Sequence, residues 1–251
     1  MRTVLITGAT SGIGRACAMQ FGANDFRLII TGRRKERLEE IKRELTEKFG
    51  TKVLTLNFDI RNKDEVFSAV ENLPGEWKEI DILINNAGLA VGLNKIQEGE
   101  IDDWERMIDT NIKGLLYITR AVAPGMTARR TGHIINIGSI AGKETYPFGN
   151  VYCATKHAVD SLTKAMRIDM VEFGIKVTQI APGAVETEFS NVRFKGDNQR
   201  ADNVYKGFEP LHAEDIADAV FYCANLPAHV NINDMLIMPT AQANSTIIIK
   251  E

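Results

Sequence analysis

The chain has 251 residues, of which 44% are hydrophobic and 25% charged, with a net charge of −3. That composition belongs to a globular chain able to bury a large core, and its interspersed acids and bases mark neither a nucleic-acid-binding nor a polybasic membrane surface. No apolar run approaches the roughly 20 residues that cross a bilayer, and the first residues reach glycine too soon for a leader peptide to be expected.

Seven β-branched apolar runs follow in order: TVLIT at 3–7, RLIIT at 27–31, KVLTL at 52–56, DILIN at 81–85, HIINI at 133–137, KVTQI at 176–180 and DMLIM at 234–238. Their nearly continuous apolar character suits strands buried on both faces. Amphipathic segments lie between them. KERLEEIKRELTEKF repeats apolar residues at 38, 41, 45 and 49, and longer helices are expected at about 101–129 and 151–173. The alternation predicts an α/β fold: one Rossmann-type domain spanning 1–251, a doubly wound parallel sheet of about seven strands with helices on both faces. The polar stretch 183–210 follows the sixth strand and is expected to be irregular. Its place after a strand's C-terminal end suggests a substrate lid; the plain alternative is a surface excursion.

The first strand runs into TGATSGIG and then a helix. Gly8, Gly12 and Gly14 allow a tight turn and close backbone approach to a pyrophosphate, and the helix start offers free N–H groups. Thr10, Ser11 and Ile13 complete that expected cofactor loop. The second strand ends at Arg33 and Arg34, where an NAD site would have an acid. Guanidinium groups can instead pair with a 2′-phosphate, which points to NADP; two solvated arginines are the alternative. After the third strand, Asp59 is placed to accept from an adenine amino group, with Ile60 against the ring. After the fourth, Asn86, Ala87 and Gly88 would let backbone approach the cofactor.

In VYCATKHA, Tyr152 and Lys156 stand four residues apart and so share a helix face. A phenol keeps its proton to about pH 10. A neighbouring ammonium could lower that value enough for acid/base work, although such a pair is also common on ordinary surfaces. Cys17, Cys153 and Cys223 lie far apart and form no CxxC pattern, so a reduced, cytoplasmic protein without a metal site is expected.

Taken together, TGATSGIG, NNAG, a serine after the fifth strand and YCATK resemble the short-chain dehydrogenase/reductase family across essentially the whole chain. The resemblance implies a catalytic tetrad of Asn111, Ser139, Tyr152 and Lys156. Tyr152 would be the acid/base. Lys156 would lower its pKa and hold the nicotinamide ribose, Ser139 would orient the substrate oxygen, and Asn111 would support a water relay. Pro182, Gly183, Val185 and Thr187 fall on the segment that closes over the nicotinamide. NNAGLAVG, EFSNVRFKGD and LPAHVNIN further resemble NADP-dependent 3-hydroxy acid dehydrogenases, which implies a short hydroxy acid or semialdehyde as substrate and a homotetramer. The substrate would meet Ser139, Tyr152 and a carboxylate clamp at Arg193. In an extended segment Lys195 would point to the same side as Arg193; both could instead be solvated lid charges. The alternatives are a general carbonyl reductase for apolar ketones or sugars and a non-catalytic NADP-binding regulator.

Overall fold

Along β1 (Thr3–Ile6) the side chains alternate, so Val4 and Ile6 enter one core while Leu5 enters the other. A computed structural model describes all residues, 1–251. After β1 come α1 (Gly12–Gly22), β2 (Arg27–Gly32), α2 (Lys35–Phe49), β3 (Val53–Asn57), α3 (Lys63–Glu71) and β4 (Ile82–Asn85). Next are α4 (Ile101–Ile108), α5 (Leu115–Arg129), β5 (His133–Ile137), α6 (Asn150–Met170) and β6 (Lys176–Pro182). The chain closes with α7 (Phe189–Arg193), α8 (Asn198–Tyr205), α9 (Ala213–Ala224) and β7 (Asp234–Ile237). The expected apolar runs are the strands of one parallel sheet, in the order β3-β2-β1-β4-β5-β6-β7.

Two apolar layers hold helices to this sheet. One contains Phe21, Leu38, Leu45, Ile216 and Val220, from α1, α2 and α9. The other contains Val66, Ile118, Val122, Val159 and Met166, from α3, α5 and α6. Each such side chain contributes roughly 1.5–3 kcal/mol through burial. Phe21 is fully buried with the Phe26 and Phe221 rings edge-on at 5.0 and 5.2 Å, so Phe21→Ala should cost about 3–5 kcal/mol.

Local signals set most boundaries. Asn62 caps α3 by accepting from the backbone N–H groups of Asp64 and Glu65. Gly50, at φ +69°, ends α2. Of the stripe expected on α2, Leu38, Ile41 and Leu45 are buried but Phe49 is 38% exposed. It lies in the last turn before the Gly50 cap, with the Lys48 ammonium 5.1 Å from its ring.

Three expectations change in detail. The helix expected at 101–129 is α4 and α5 joined by a π-turn, Asp109–Gly114. The helix expected at 151–173 is α6 followed by a 3₁₀ turn, Val171–Phe173, which Gly174 ends at φ +71°. The stretch 183–210 is not irregular, since it holds α7 and α8. Lys195 and Gly196 turn between them at φ +54° and +90°, and Asp197 caps α8 by accepting from the Arg200 N–H. These helices bury only Ser190 and Ala201, too few positions to leave a 3.6-residue apolar period in the sequence. No helix is long and apolar enough to cross a membrane.

The chain leaves β1 toward β2 on one side and later returns to β4 on the other. A crevice therefore opens at the C-terminal ends of these strands, where such sheets bind ligands.

Candidate active site

A cleft of about 600 Å³ runs from Arg33 and Arg34, past the glycine loop, to Tyr152, Lys156 and Arg193. Glycine is required where the loop passes beneath β4. A Cβ on Gly8, already at φ +65°, would come within 2.9 Å of the Ala87 Cα, and one on Gly14 within 2.4 Å of the Gly8 carbonyl oxygen. Thr7 ties the two segments: its hydroxyl accepts from the N–H groups of Asn86 and Ala87 at 3.0 and 2.9 Å. The Asn86 amide donates to the Thr7 and Gly8 carbonyls, so this side chain braces the loop while its backbone borders the cleft. No side chain caps α1 at Ser11, leaving the N–H groups and positive dipole end of its first turn for an anion.

At the other end of the loop Arg34 is fixed. Its guanidinium donates to the Thr10 hydroxyl at 2.8 Å, the Ser11 hydroxyl at 2.8 Å and Glu188 at 2.8 Å. Arg33 is freer, 58% exposed and 3.9 Å from Asp59. Asp59 borders the cleft, but its carboxylate is gripped by Arg61 at 2.6 Å. Burial alone would raise its pKa; the Arg61 hydrogen bonds and charge hold it below the usual carboxylate range. The expected adenine acceptor is thus shared with a neighbouring cation. Ile60 borders the cleft, and its side chain packs against Gly114, where a Cβ would come within 2.9 Å of the Ile60 methyl.

Of the expected tetrad, Ser139, Tyr152 and Lys156 border the cleft, whereas Asn111 does not. Ser139 borders the cleft after β5; its Oγ accepts from the Ala141 N–H at 3.1 Å, which leaves its own hydrogen free to donate. Lys156 is buried and donates to the Ile137 carbonyl at 2.9 Å. Burial lowers its pKa to about 8. The phenol does not follow the expectation of a lowered pKa. Burial raises it, and the Tyr146 phenol adds to the rise; a hydrogen bond with Ser139 and the charge of Arg193 pull the other way. With the Lys156 ammonium directed to Ile137, desolvation is the larger effect.

Asn111 sits in the π-turn and commits both amide hydrogens and one acceptor position of its oxygen locally. It donates to the Leu89 carbonyl at 2.8 Å, accepts from the Leu89 N–H at 2.8 Å and donates to the Thr155 hydroxyl at 3.0 Å. This makes it a positioning residue for the segment after β4. A π-turn is a common way to set such a side chain out of helical phase.

Arg193, at the end of α7, donates to the Tyr146 hydroxyl at 2.7 Å, and its guanidinium carbon lies 5.6 Å from the Tyr152 ring centroid. Its Nε is buried without a partner. Lys195 does not share that side. The segment is helical rather than extended, and Lys195 pairs with the buried Asp103 at 2.8 Å.

The segment after β6 closes the remaining wall. Pro182, Gly183, Val185 and Thr187 all border the cleft, and a Cβ on Gly12 would lie 3.1 Å from the Thr187 methyl. Gln242 braces this segment by accepting from the Ala184 N–H at 2.8 Å. Gln242, Ser245 and Ile248 border the cleft too. Residues 2–198 match the family described as short chain dehydrogenase. The chain belongs to the short-chain dehydrogenase family.

Other members support a closer relation. An NADP-dependent 3-hydroxy acid dehydrogenase of Salmonella typhi is 50% identical over 241 residues, 96% of each chain. A sulfoacetaldehyde reductase of Chromohalobacter salexigens is 46% identical, over 96% of this chain and 95% of that one. A solved structure of the closed form of serine dehydrogenase complexed with NADP⁺ superimposes with a TM-score of 0.92 at 46% identity, covering 99% of both chains.

Within this short-chain dehydrogenase, several site residues escaped the sequence reading. Thr7 and Gln242 act through hydrogen bonds to distant backbone groups that leave no pattern. Tyr146, which orients Arg193, lies in a loop outside any motif.

Proposed function

We propose that this short-chain dehydrogenase moves a hydride between NADP and the 3-hydroxyl, or 3-carbonyl, of a short hydroxy acid such as serine, L-allo-threonine or 3-hydroxypropionate. The named activities of its relatives support this class. The observation that carries the substrate assignment is the Arg193 guanidinium beside Tyr152, with a buried Nε still free to donate. A carboxylate is the natural partner of such a planar fork.

NADP fits the residues present: Arg34 for the 2′-phosphate, the uncapped start of α1 for the pyrophosphate, and Lys156 for ribose hydroxyls. When bound, the nicotinamide accepts or returns the hydride and, oxidised, adds a positive charge near Tyr152. Tyr152 gives its proton to the substrate oxygen in reduction and removes it in oxidation. Burial keeps the phenol protonated, the form that reduction requires. Ser139 donates to the same oxygen and fixes its direction. Lys156, with a pKa of about 8, can pass a proton toward Tyr152 near neutral pH. Asn111 keeps the Leu89 segment in register, the support from which we infer its part in a water relay.

A second reading has its own observation. Phe189, Val192 and Phe194 turn apolar surface to the cleft, as a reductase of apolar ketones would need. The sulfoacetaldehyde reductase relative offers a third arrangement, since a sulfonate presents similar oxygens to Arg193. A panel of hydroxy acids, their esters, apolar ketones and sulfoacetaldehyde, each with NADP and NAD, separates these readings by the absorbance of reduced nicotinamide. Preferential turnover of hydroxy acids with NADP is expected. Preference for ketones would move the assignment to the carbonyl reductase, and NADP binding without turnover of anything would favour the regulator.

We infer a homotetramer in the cytoplasm. Exposed Ile101, Ile108 and Leu116 on one helical pair, and Ile168 and Val171 near the end of α6, supply apolar surface for interfaces. The three cysteines are buried and free, which suits a reducing compartment. Light scattering of the purified protein tests the assembly.

A further inference from the structure

The arginines at the end of β2 do not face only solvent and cofactor groove. Glu188, on the segment that closes the cleft, reaches across to them. One carboxylate oxygen accepts from Arg34 at 2.8 Å and the other from Arg37 at 2.5 Å. Arg34 and Arg37 stand three residues apart at the start of α2, so they share one face and present a paired fork. Glu188 immediately follows Thr187, which touches the glycine loop, and begins the short helix that ends at Arg193. One carboxylate therefore ties the arginine pair to the segment carrying both the nicotinamide wall and the carboxylate clamp.

A carboxylate bridging two guanidinium groups occupies the donors that a 2′-phosphate would take. The phosphate carries more charge and more acceptor oxygens, so it is the stronger ligand for the same fork. A nucleotide with a bare ribose offers nothing to compete. The bonds from Arg34 and Arg37 hold the Glu188 carboxyl below its ordinary pKa despite partial burial, so it stays a charged competitor through the neutral range.

We propose that Glu188 is a latch on the 2′-phosphate site, with Arg37 as a further phosphate ligand: the 2′-phosphate of NADP displaces Glu188 from Arg34 and Arg37, whereas NAD leaves the latch closed. Glu188 thereby lowers intrinsic NADP affinity. The proposal rests on the assignment of Arg34 to the 2′-phosphate.

Calorimetric titration of the wild type and three variants with NADP and with NAD tests it. Glu188→Gln keeps the side-chain shape and removes the charge. It should tighten NADP binding by about 2- to 30-fold, the range of two exposed ion pairs no longer in competition, with NAD binding unchanged. Arg37→Met should weaken NADP by roughly 3-fold or more while sparing NAD. Arg34→Met is the control for the underlying assignment. If Arg34→Met leaves NADP affinity intact, the phosphate site is misassigned and the latch falls with it. If Arg34→Met weakens NADP but Glu188→Gln leaves its affinity unchanged or lower, the latch alone is overturned. If Arg37→Met binds NADP as the wild type does, the second ligand is wrong and the shared fork is refuted.

Discussion

Asn111 pairs with Leu89 as a neighbouring strand would: one amide donates to the Leu89 carbonyl and accepts from its N–H, both at 2.8 Å. The π-turn Asp109–Gly114 places this amide beside the segment after β4. Asn111→Ala would orphan both Leu89 groups, which are buried, at about 1–3 kcal/mol each. Denaturant unfolding should therefore show a stability loss of roughly 2–6 kcal/mol, with weaker NADP binding. A variant as stable as the wild type would mean that Leu89 finds other partners.

Tyr152 is the only group proposed to exchange a proton with the substrate oxygen directly. Tyr152→Phe keeps the ring that packs on Phe189 at 5.6 Å. Turnover should fall by at least ~100-fold, the lower range for one positioned acid/base, while NADP titration stays near normal. A folded variant with ordinary turnover would remove Tyr152 from the mechanism.

The two arginines after β2 should not contribute equally. Arg34 is fixed by Thr10 and Ser11, whereas Arg33 is mostly exposed. Charge-assisted hydrogen bonds are worth roughly 1.5–3 kcal/mol. Arg34→Met should thus weaken NADP by roughly 10- to 100-fold and Arg33→Met by less, with NAD little affected in both. Equal losses for the two cofactors would place Arg34 outside the 2′-phosphate site.

These assignments show how far sequence reading reaches. Strands buried on both faces, such as β1, β4 and β5, write themselves as continuous apolar runs, and the partly exposed edge strands β3 and β7 keep enough of that character to be legible too. The expected tetrad could be placed in the sequence because its members sit in short local motifs, DTNIKG, NIGSIAG and YCATK. Contacts between distant segments were not. Glu188 meets Arg34 across 154 positions, and nothing in either neighbourhood announces the other. Lys195 was misplaced for a local reason: a period-two argument fails where the chain turns through a short helix and a positive φ. The burial that raises the Tyr152 pKa comes from segments distant in the chain and leaves no mark in YCATK.

His133 makes stability depend on acid. Burial, then the charges of Lys176 and Arg2, push its pKa down to about 3, while an unfolded imidazole titrates near 6.5. The unfolded chain takes up this proton below about pH 6.5 and the folded chain does not until about pH 3. Stability is therefore lost as pH falls through that window. At about pH 5 the loss from this group is roughly 2 kcal/mol. Urea unfolding at neutral pH and at about pH 5 should show a smaller drop for His133→Asn than for the wild type; equal drops would contradict the assignment.

The central claim is that Arg193 binds the substrate's carboxylate beside Tyr152. The most direct measurement compares kcat/KM for a hydroxy acid and for its methyl ester, in the wild type and in Arg193→Met. The ester keeps the reacting hydroxyl and removes the anion. Arg193→Met should lose roughly 10- to 100-fold on the acid, in line with one or two charge-assisted hydrogen bonds, and far less on the ester. Lys195→Met, which breaks only the pair with Asp103, should affect acid and ester alike. Equal losses on acid and ester in Arg193→Met would contradict the account, leaving Arg193 as a support of the lid and moving the carboxylate site elsewhere.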